Sequence, residues 1–450
     1  MEPPTEHDDV HSRDAGLGQC VTVCSGCSAM TRESSDETET LKRLMEFERS
    51  RTAPPEGFPA FPDLPGKRYT DPAFYALERE QLWSKSWLFA GHLDEVPQRG
   101  CYKLFESALQ GVVIIHTRTG DLRAFHNTCR HRGAALVREP YGRAERLVCG
   151  YHGWTYAHDG SLIALRDERD FIGLDKSCRS LYPVRIESIG KFMFVNFDSD
   201  ARPLVDELAA FIPQWRQFQF ESLRFVRKDR FELQCNWKIA MEANMEVYHV
   251  PSIHATTVSP LLDHRANVNT LYPGGHGRMV APSRPTRGRN DSSDGRPDIE
   301  TVGEIARTCT LSFNLVPNLV SPMSARGFPI MAFWPTSLNT TTLEISWFGK
   351  DWAPAPMPAD WDRYIGFFND VVAEDTQFGN WIQKAVESYV YGGVPLSYQE
   401  ARIYHWHQAI DAIIGVERIA RALRVAPVIG ADWMYPHDTQ RRIQSEVSSK

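Results

Sequence analysis

The alternation of apolar and polar residues changes several times along the chain, and these changes predict an α+β protein. Residues 1–52 are polar and acidic with little apolar periodicity, which predicts a disordered tail. Asp71 and Pro72 are typical of a helix N-terminus, so residues 53–84 should form a connector that ends in a helix. Between 85 and 200, short β-branched and aromatic runs alternate with turn residues, which predicts a small antiparallel β domain.

Residues 201–450 combine strand and helix patterns and should form a second domain. Asn236 can cap a helix that runs to about Tyr248. The segment 282–299 is rich in Pro, Gly, Arg, Ser and Asp, which predicts a surface loop or lid. Strand patterns lie at 226–233, 311–316, 330–334 and 342–348, and longer helical patterns cover 361–388 and 398–424.

Length and composition exclude several classes of protein. The chain has 450 residues, enough for two domains, and 24% of them are charged, with a net charge of -7. This balance provides no basic surface for nucleic acid. No apolar run approaches the ~18 residues of a membrane span, and no leader pattern opens the chain. Nine scattered cysteines do not indicate a disulfide framework. We therefore expect a cytoplasmic protein without nucleic-acid or membrane partners.

Two short glycine-containing loops each pair a cysteine with a histidine. Cys129 stands just before His131, and Cys149 stands just before His152. Two thiolates and two imidazoles are the ligand set of a Rieske [2Fe–2S] cluster, with the cysteines on one iron and the histidines on the other. Structural zinc is the alternative, although zinc fingers usually pair Cys with Cys and His with His.

These loops resemble those of Rieske proteins. Respiratory members of that group carry an extra cysteine in each loop, where this chain has Ala134 and Tyr151. The resemblance is therefore to the oxygenase and ferredoxin branch. It implies that Cys129, His131, Cys149 and His152 bind the cluster.

A second group of possible metal ligands lies early in the second domain. Glu242, Glu246 and His249 recur at i, i+4 and i+7, which would place them on one face of a helix. Pro251 should end that helix, so that the chain can bring His254 back towards His249. Two imidazoles and one carboxylate can hold Fe(II) as a facial triad that leaves positions open for dioxygen and substrate.

The run from Asn236 to His254 resembles the mononuclear-iron segment of Rieske non-haem iron oxygenases, the large or alpha catalytic subunits of ring-hydroxylating oxygenases. The resemblance covers residues 60–425 approximately. It implies an N-terminal antiparallel β Rieske domain followed by a C-terminal helix-grip domain, in which an antiparallel sheet surrounds a long helix. It also implies a [2Fe–2S] cluster, a mononuclear Fe(II) and O2 as co-substrate.

The family places its third iron ligand on a late acidic helix, where this chain has Glu374 and Asp375. We assign Asp375 to the triad with the two histidines, and Glu374 and Asp370 remain alternatives. His405 and His407 are left without a ligand role because the triad is already complete.

The resemblance implies oxygenation of a small organic substrate, with an aromatic compound as the first expectation. The family usually has Asp three residues before the first triad histidine. This chain has Glu246 there, as in members that oxidise quaternary ammonium compounds, so demethylation or monooxygenation of such a compound is the alternative. No Gly-x-Gly-x-x-Gly fingerprint follows a strand, and NAD(P)H electrons should therefore arrive through a separate reductase, with or without a ferredoxin.

The resemblance further implies a homotrimer in which the cluster of one subunit faces the iron of the next. A carboxylate should link His152 of one chain to His249 of its neighbour, because ligating imidazoles normally have their free N–H groups oriented by an acceptor. We assign this catalytic role to Glu246, with Glu242 as the alternative.

Two other functions remain open. One is a Rieske electron carrier or binding module without catalytic iron. The other follows from Cys20-x3-Cys24-x2-Cys27, which has the spacing of radical S-adenosylmethionine enzymes; no buried strand precedes it, so we interpret it as coincidental or adventitious metal binding. Substrate-pocket candidates are apolar residues of the second-domain strands: Phe313, Leu315, Val316, Met331 and Phe333.

Overall fold

The computed structural model describes residues 35–284 and 295–437, together with 439 and 442. The cysteines with the radical-enzyme spacing, and most of the predicted loop or lid at 282–299, lie outside these residues. Within the described ranges no helix is both long and apolar enough to cross a membrane.

Helix α1 (Ser35–Ser50) begins the described chain. It buries Leu41, Leu44 and Met45 in the main hydrophobic core. Their three- and four-residue spacing is that of an amphipathic helix, whose stability comes from packing its apolar face. The prediction of a disordered tail over 1–52 is therefore wrong from residue 35 to residue 50.

The connector ends in a helix, as predicted. Helix α2 (Pro72–Leu77) begins after Asp71, whose carboxylate accepts hydrogen bonds from the backbone N–H groups of Ala73 at 2.8 Å and Phe74 at 2.9 Å. These bonds satisfy two donors that a helix start leaves unpaired. A π-helical segment then continues the path to Trp83.

The first half of the chain is built from short antiparallel strands. They are β1 (Leu64–Pro65), β2 (Leu88–His92), β3 (Cys101–Glu106), β4 (Gly111–His116), β5 (Leu122–His126), β6 (Tyr141–Arg143), β7 (Leu147–Val148), β8 (Thr155–Tyr156), β9 (Leu162–Ala164), β10 (Pro183–Ile189) and β11 (Phe192–Asn196). Seven form a sheet in the order β2-β11-β10-β5-β4-β3-β6, and β7-β8-β9 form a smaller sheet. Cys129 and Cys149 lie in a hydrophobic cluster with residues of the smaller sheet. The predicted antiparallel β domain is confirmed.

The second half contains one long antiparallel sheet and a long helix. The strands are β12 (Leu223–Leu233), β13 (Val268–Leu271), β14 (Gly277–Pro282), β15 (Cys309–Leu315), β16 (Leu319–Met323), β17 (Phe328–Ser337), β18 (Thr340–Lys350) and β19 (Gly393–Val394). Their order in the sheet is β12-β18-β17-β16-β15-β14-β13, and β19 pairs with β1. The helices are α3 (Leu204–Glu207), α4 (Ile212–Trp215), α5 (Trp237–Glu242), α6 (Val250–Ile253), α7 (Glu304–Thr308), α8 (Asp360–Val386) and α9 (Ala401–Ile414).

Helix α8 has 27 residues and lies against this sheet. Trp347 of β18 contacts the rings of Tyr364 and Phe368 on the helix, with centroid distances of 5.6 and 4.9 Å. Rings at these distances and steep angles pack edge to face. The sheet-and-helix arrangement of the predicted C-terminal domain is confirmed.

Two predicted helices are shorter in the structure. Asn236 does cap α5, because its side chain accepts a hydrogen bond from the backbone N–H of Lys238, but the helix ends at Glu242 instead of Tyr248. The last helix, predicted over 398–424, ends at Ile414. Glycine follows it with a φ of 94°, a backbone conformation that ends helices readily.

Candidate metal centres and substrate cavity

The two Cys/His loops have the same backbone turn. The N–H of Gly133 donates to the carbonyl of Cys129 at 2.9 Å, and the N–H of Gly153 donates to the carbonyl of Cys149 at 3.0 Å. Both glycines have positive φ values, 76° and 73°, where a side chain would strain the backbone. The repeated turn directs one thiol and one imidazole from each loop to the same place.

The four side chains converge between these loops. Nδ1 of His131 lies 3.1 Å from Nδ1 of His152, and both thiols are buried. Burial, followed by the neighbouring Cys149, raises the pKa of the Cys129 thiol, whereas hydrogen bonds from Tyr156 and the backbone of His131 lower it. Two unbridged buried thiols beside two facing imidazole nitrogens suit a two-iron cluster of mixed ligation.

Tyr156 fixes the cysteine side of this group. Its hydroxyl lies 3.3 Å from Cys129 Sγ and accepts a hydrogen bond from the backbone N–H of Arg130 at 3.0 Å. Burial and the adjoining thiol raise the pKa of Tyr156, so the phenol keeps its proton and can donate it towards sulfur.

The second group comprises His249, His254 and Asp375, whose ligand atoms all lie within 4.8 Å of one another. Nε2 of His254 is 2.9 Å from Asp375 Oδ1, and Nε2 of His249 is 3.6 Å from the same oxygen. The three residues come from the turn after α5, the end of α6 and the middle of α8. The structure thus brings together the three residues assigned from the sequence.

Each of these histidines also contacts a carboxylate through its other nitrogen. Nδ1 of His249 contacts Glu246, and Nδ1 of His254 lies 2.6 Å from Oε2 of Glu374. A carboxylate at Nδ1 favours the tautomer with the proton on Nδ1, which leaves the Nε2 lone pair pointing at Asp375. Burial lowers the pKa of both imidazoles and the carboxylates raise it, with a net upward shift.

The carboxylate of Asp375 is positioned to bind a cation. Its Oδ1 is buried and has no hydrogen-bond partner within the described ranges, even though His254 Nε2 is only 2.9 Å away. Two lone pairs at that distance repel each other unless a proton or a metal ion lies between them. The donor set of two imidazoles and one carboxylate fits Fe(II).

The carboxylates near the triad differ in position. Asp375 faces the Nε2 atoms, whereas Glu374 faces the outer side of His254 and also accepts a hydrogen bond from Thr257 at 2.7 Å. Asp370 is exposed. Sequence reasoning missed the orienting role of Glu374 and Thr257, and the spacing of residues 254 and 257 offers no signal for it.

The expected single helical face of Glu242, Glu246 and His249 is wrong, because α5 ends at Glu242. The carboxylate of Glu246 instead accepts hydrogen bonds from the backbone N–H groups of Tyr248 and His249. It thus caps the turn that leads into α6 and holds His249 at the same time. Pro251 lies in the first turn of α6, consistent with the predicted reversal.

A cavity of about 320 Å³ adjoins the triad. Of the five apolar residues predicted to line a pocket, only Phe333 lies in this wall; Leu315 and Val316 line a second cavity of about 300 Å³. The described lining residues are largely apolar and aromatic. The wall includes four aromatic residues and four acidic residues: Tyr69, Phe333, Phe378, Tyr391, Glu242, Glu246, Asp375 and Glu400.

Glu242 belongs to a buried network at one side of this cavity. Its carboxyl group accepts hydrogen bonds from the hydroxyl of Tyr69 at 3.0 Å and from Nε2 of His407 at 2.8 Å. Burial raises the pKa of Glu242 to about 8 and lowers that of His407 well below its usual value. Nε2 of His405 bonds to the carbonyl of Tyr272 at 2.7 Å, so both histidines are engaged away from the triad.

Both halves of the chain match described protein families. Residues 86–176 match the Rieske [2Fe–2S] domain, and residues 220–415 match the catalytic domain of the ring-hydroxylating alpha subunit. The chain therefore belongs to the Rieske oxygenases. This combination implies a Rieske cluster, which removes the zinc alternative, and a mononuclear iron.

Three oxygenase subunits with known substrates are similar to this chain in sequence. The chain is 31% identical over 204 residues to the glycine betaine monooxygenase oxygenase subunit of Chromohalobacter salexigens, and the match covers 45% of each chain. It is 32% identical over 207 residues to the carnitine monooxygenase oxygenase subunit of Acinetobacter baumannii, and this match covers 44% of this chain and 56% of the relative. It is 30% identical over 210 residues to the anthranilate 1,2-dioxygenase large subunit of Acinetobacter baylyi (45% and 44%). The chain spans about half the length of the curated relatives it matches.

Solved structures share the fold. The quaternary ammonium Rieske monooxygenase CntA in complex with an inhibitor superposes with a TM-score of 0.67 at 22% identity, over 78% of this chain and 95% of that chain. Naphthalene 1,2-dioxygenase with bound indole superposes with a TM-score of 0.63 at 22% identity, over 79% and 93%. At this identity the likeness concerns the fold alone.

Proposed function

We propose that this protein is the oxygenase component of a multicomponent Rieske system and that it oxygenates a quaternary ammonium compound. One observation carries the proposal of catalysis: two imidazole Nε2 atoms face an unpartnered buried oxygen of Asp375 beside a largely apolar cavity. An electron carrier without catalytic iron would have no use for such a site.

Cys129 and Cys149 would hold one iron of the cluster, and His131 and His152 would hold the other. The cluster supplies one electron at a time when bound. The chain contributes low solvent access through burial of both thiols, and it contributes the Tyr156 hydroxyl beside sulfur. Both features tune the reduction potential.

His249, His254 and Asp375 would hold the mononuclear iron on one face. Fe(II) in a facial triad supplies open positions where dioxygen is activated next to substrate. Glu246 and Glu374 hold the Nδ1 protons of the two imidazoles, so that the rings keep one tautomer and one orientation. The largely apolar cavity wall would limit the contact of a bound substrate with water.

Three observations support a quaternary ammonium substrate over the aromatic compound expected first. The glycine betaine and carnitine monooxygenase subunits are among the relatives. Glu246 stands where aromatic-ring oxygenases usually have Asp, and the cavity combines aromatic rings with carboxylates. Aromatic rings and carboxylates together favour a cation with an apolar surface.

Electrons would come from NAD(P)H through a separate reductase, with or without a ferredoxin. Transfer between the two metal sites would use a homotrimer, in which Glu246 links His249 to His152 of the next subunit. An exposed aromatic side chain adjoins each of these histidines, Tyr151 beside His152 and Tyr248 beside His249. Exposed tyrosines of this kind are frequent at protein interfaces.

Metal analysis and a substrate panel test this function. The purified protein should contain about three irons per chain, two in the cluster and one in the triad. With a surrogate reductase and NADH, glycine betaine, carnitine or choline should be consumed with release of formaldehyde, because an oxygenated N-methyl group leaves as formaldehyde. Two irons per chain and no turnover would indicate an electron carrier, and turnover of anthranilate alone would restore the aromatic expectation.

A further inference from the structure

The cavity beside the triad is lined by several acidic residues. Four carboxyl groups belong to its wall, from Glu242, Glu246, Asp375 and Glu400, while the described lining residues include no lysine or arginine. Glu242, with its pKa raised to about 8, is mostly protonated at pH 7, so the negative charge of this wall comes from Glu246, Asp375 and Glu400. A cavity of this kind disfavours anions. A ligand that carries one positive charge would compensate this negative charge.

Three of these carboxyl groups already have a role in the metal site or in a buried hydrogen-bond network. Asp375 faces the Nε2 atoms of the triad histidines, and Glu246 contacts His249. Glu242 accepts hydrogen bonds from Tyr69 and His407. Each has a structural or metal-related task that uses its charge or its lone pairs.

Glu400 differs from the other three. It lies just before α9, where a capping box ties one carboxylate oxygen to the backbone N–H of Ser397 at 2.8 Å. Within the described ranges no cationic side chain forms an ion pair with it. The capping box therefore holds a half-buried carboxylate in one place at the cavity wall without neutralising it.

Glu400 also lies near the reacting end of the cavity. Burial and the charge of Glu246 raise the pKa of its carboxyl group, while its Ser397 contacts and His249 lower it. Glu400 shares the cavity wall with His249 and Asp375 of the triad. Tyr69, Tyr391, Phe333 and Phe378 contribute aromatic rings to the same cavity.

We propose that Glu400 determines substrate specificity by pairing with the positively charged nitrogen of a quaternary ammonium substrate, while an N-methyl group of that substrate faces the triad. This role rests on the proposed oxygenase function and specifies how its site selects a cation. The aromatic rings provide cation–π contacts to the methyl groups, and Glu400 provides the counter-charge. Glu400 is a binding residue in this scheme and takes no part in electron transfer.

Glu400→Gln tests the role of the charge. Glutamine has nearly the same size and also serves in capping boxes, so the start of α9 should be retained. The probes are choline and 3,3-dimethylbutan-1-ol, which has the same shape with carbon in place of nitrogen and no charge. The affinities of both probes are measured by equilibrium binding. The wild type should bind choline more tightly than the neutral alcohol. In the variant the affinity for choline should fall by about 10-fold, while the affinity for the neutral alcohol stays unchanged.

Two further variants control for structural effects. Glu417→Gln removes an exposed carboxylate of the same C-terminal region and should leave the preference unchanged. Glu400→Asp keeps the charge but cannot form the same capping box, and it should keep most of the preference. If Glu400→Asp loses the preference while Glu400→Gln keeps it, the capping box and not the charge is responsible, and the proposal is wrong.

The remaining outcomes separate this proposal from the proposed function. If the wild type prefers choline and Glu400→Gln keeps that preference, Glu400 has no such role, while the quaternary ammonium function stands. Loss of preference in Glu242→Gln but not in Glu400→Gln would assign the counter-charge to Glu242. If the wild type binds both probes equally and oxygenates no quaternary ammonium compound, both the substrate class and the role of Glu400 are wrong.

Discussion

Nε2 of His254 and Oδ1 of Asp375 lie 2.9 Å apart without a hydrogen bond between them. Nδ1 of the same imidazole lies 2.6 Å from Oε2 of Glu374, which favours the tautomer with the proton on Nδ1. In that tautomer two acceptors face each other, and a metal ion between them would bind both.

Replacing any member of the triad should remove the mononuclear iron but leave the cluster. His249→Ala, His254→Ala and Asp375→Ala should each contain about two irons per chain and show no turnover, because two remaining ligands hold Fe(II) poorly. Glu374→Ala should keep all three ligands and lose iron affinity by about 10- to 100-fold, as expected for an orienting acceptor. Iron analysis and the visible spectrum of the cluster measure both effects. Normal turnover in Asp375→Ala, with loss in Glu374→Ala, would reverse the two assignments.

The hydroxyl of Tyr156 should raise the reduction potential of the cluster. A hydrogen bond to sulfur stabilises the more negative reduced state, so Tyr156→Phe should lower the potential while the cluster spectrum remains. Tyr435→Phe, an exposed tyrosine of the second half, is the control. His131→Cys or His152→Cys should lower the potential further, because thiolate stabilises ferric iron more than imidazole does. Redox titration followed by EPR measures these shifts, and an unchanged potential in all three variants would remove the assignment.

Glu246→Gln should impair electron transfer between subunits without removing metal. We expect full iron content, a trimer by light scattering, normal cluster reduction and turnover lowered by ~10-fold or more. Stopped-flow re-oxidation of the pre-reduced variant by oxygen and substrate measures the step. Re-oxidation at the wild-type rate would show that Glu246 does not link the sites, and a monomer that turns over would exclude transfer between subunits.

Glu242 should make stability depend on pH. Burial raises its pKa from 4.5 to about 8, so folding binds a proton across this range. The stabilisation from this group is fully present below pH 4.5 and is lost as pH rises through about 8. The Tm of Glu242→Gln, measured by calorimetry, should therefore rise relative to the wild type between these pH values, whereas that of Glu417→Gln should not. Parallel curves for all three proteins would show that Glu242 is not held protonated.

Deletions of the N-terminal region should show whether α1 stabilises the core and whether the cysteines before it bind a cluster. Deletion of residues 1–34 should leave both metal sites and the Tm unchanged, whereas deletion of 1–50 should lower the Tm, because it exposes the core contacts of Leu41, Leu44 and Met45. The cluster spectrum should survive both deletions. A [4Fe–4S] signal that disappears with residues 1–34 would support the radical-enzyme spacing of Cys20, Cys24 and Cys27.

Much of the fold was predictable because its signals are local. The Asp71 cap, the strand pairs around 112–126 and the boundary between the β domain and the second domain depend on neighbouring residues. The two Cys/His loops were predictable for the same reason, since each ligand pair lies within four residues. The resemblance supplied what spacing could not, above all the choice of Asp375.

The features that the sequence did not predict depend mostly on contacts between residues that are distant along the chain. The early end of α5 follows from side-chain bonding of Glu246 to the next turn, which outweighs the helical propensity of that stretch. The network of Glu242 joins Tyr69 and His407, each more than 160 residues away along the chain. Helix α1 was not predicted because the many acidic residues of this stretch make its apolar periodicity hard to recognise in the sequence. The capping box of Glu400 was readable from Ser397 and Glu400, but its place in the cavity was not.

Helix α8 carries Asp375 and Glu374 as consecutive residues, and Val372, Thr376 and Gly379 of the same helix belong to the cavity wall. The proposed iron ligand Asp375 and the residue that contacts Nδ1 of His254 therefore belong to the same helix. A ligand too large for the cavity would push on that helix and displace both at once. In the proposed site, substrate size and metal geometry would thus be coupled through one helix, and a compound that does not fit would displace the iron ligand and so lower the activity.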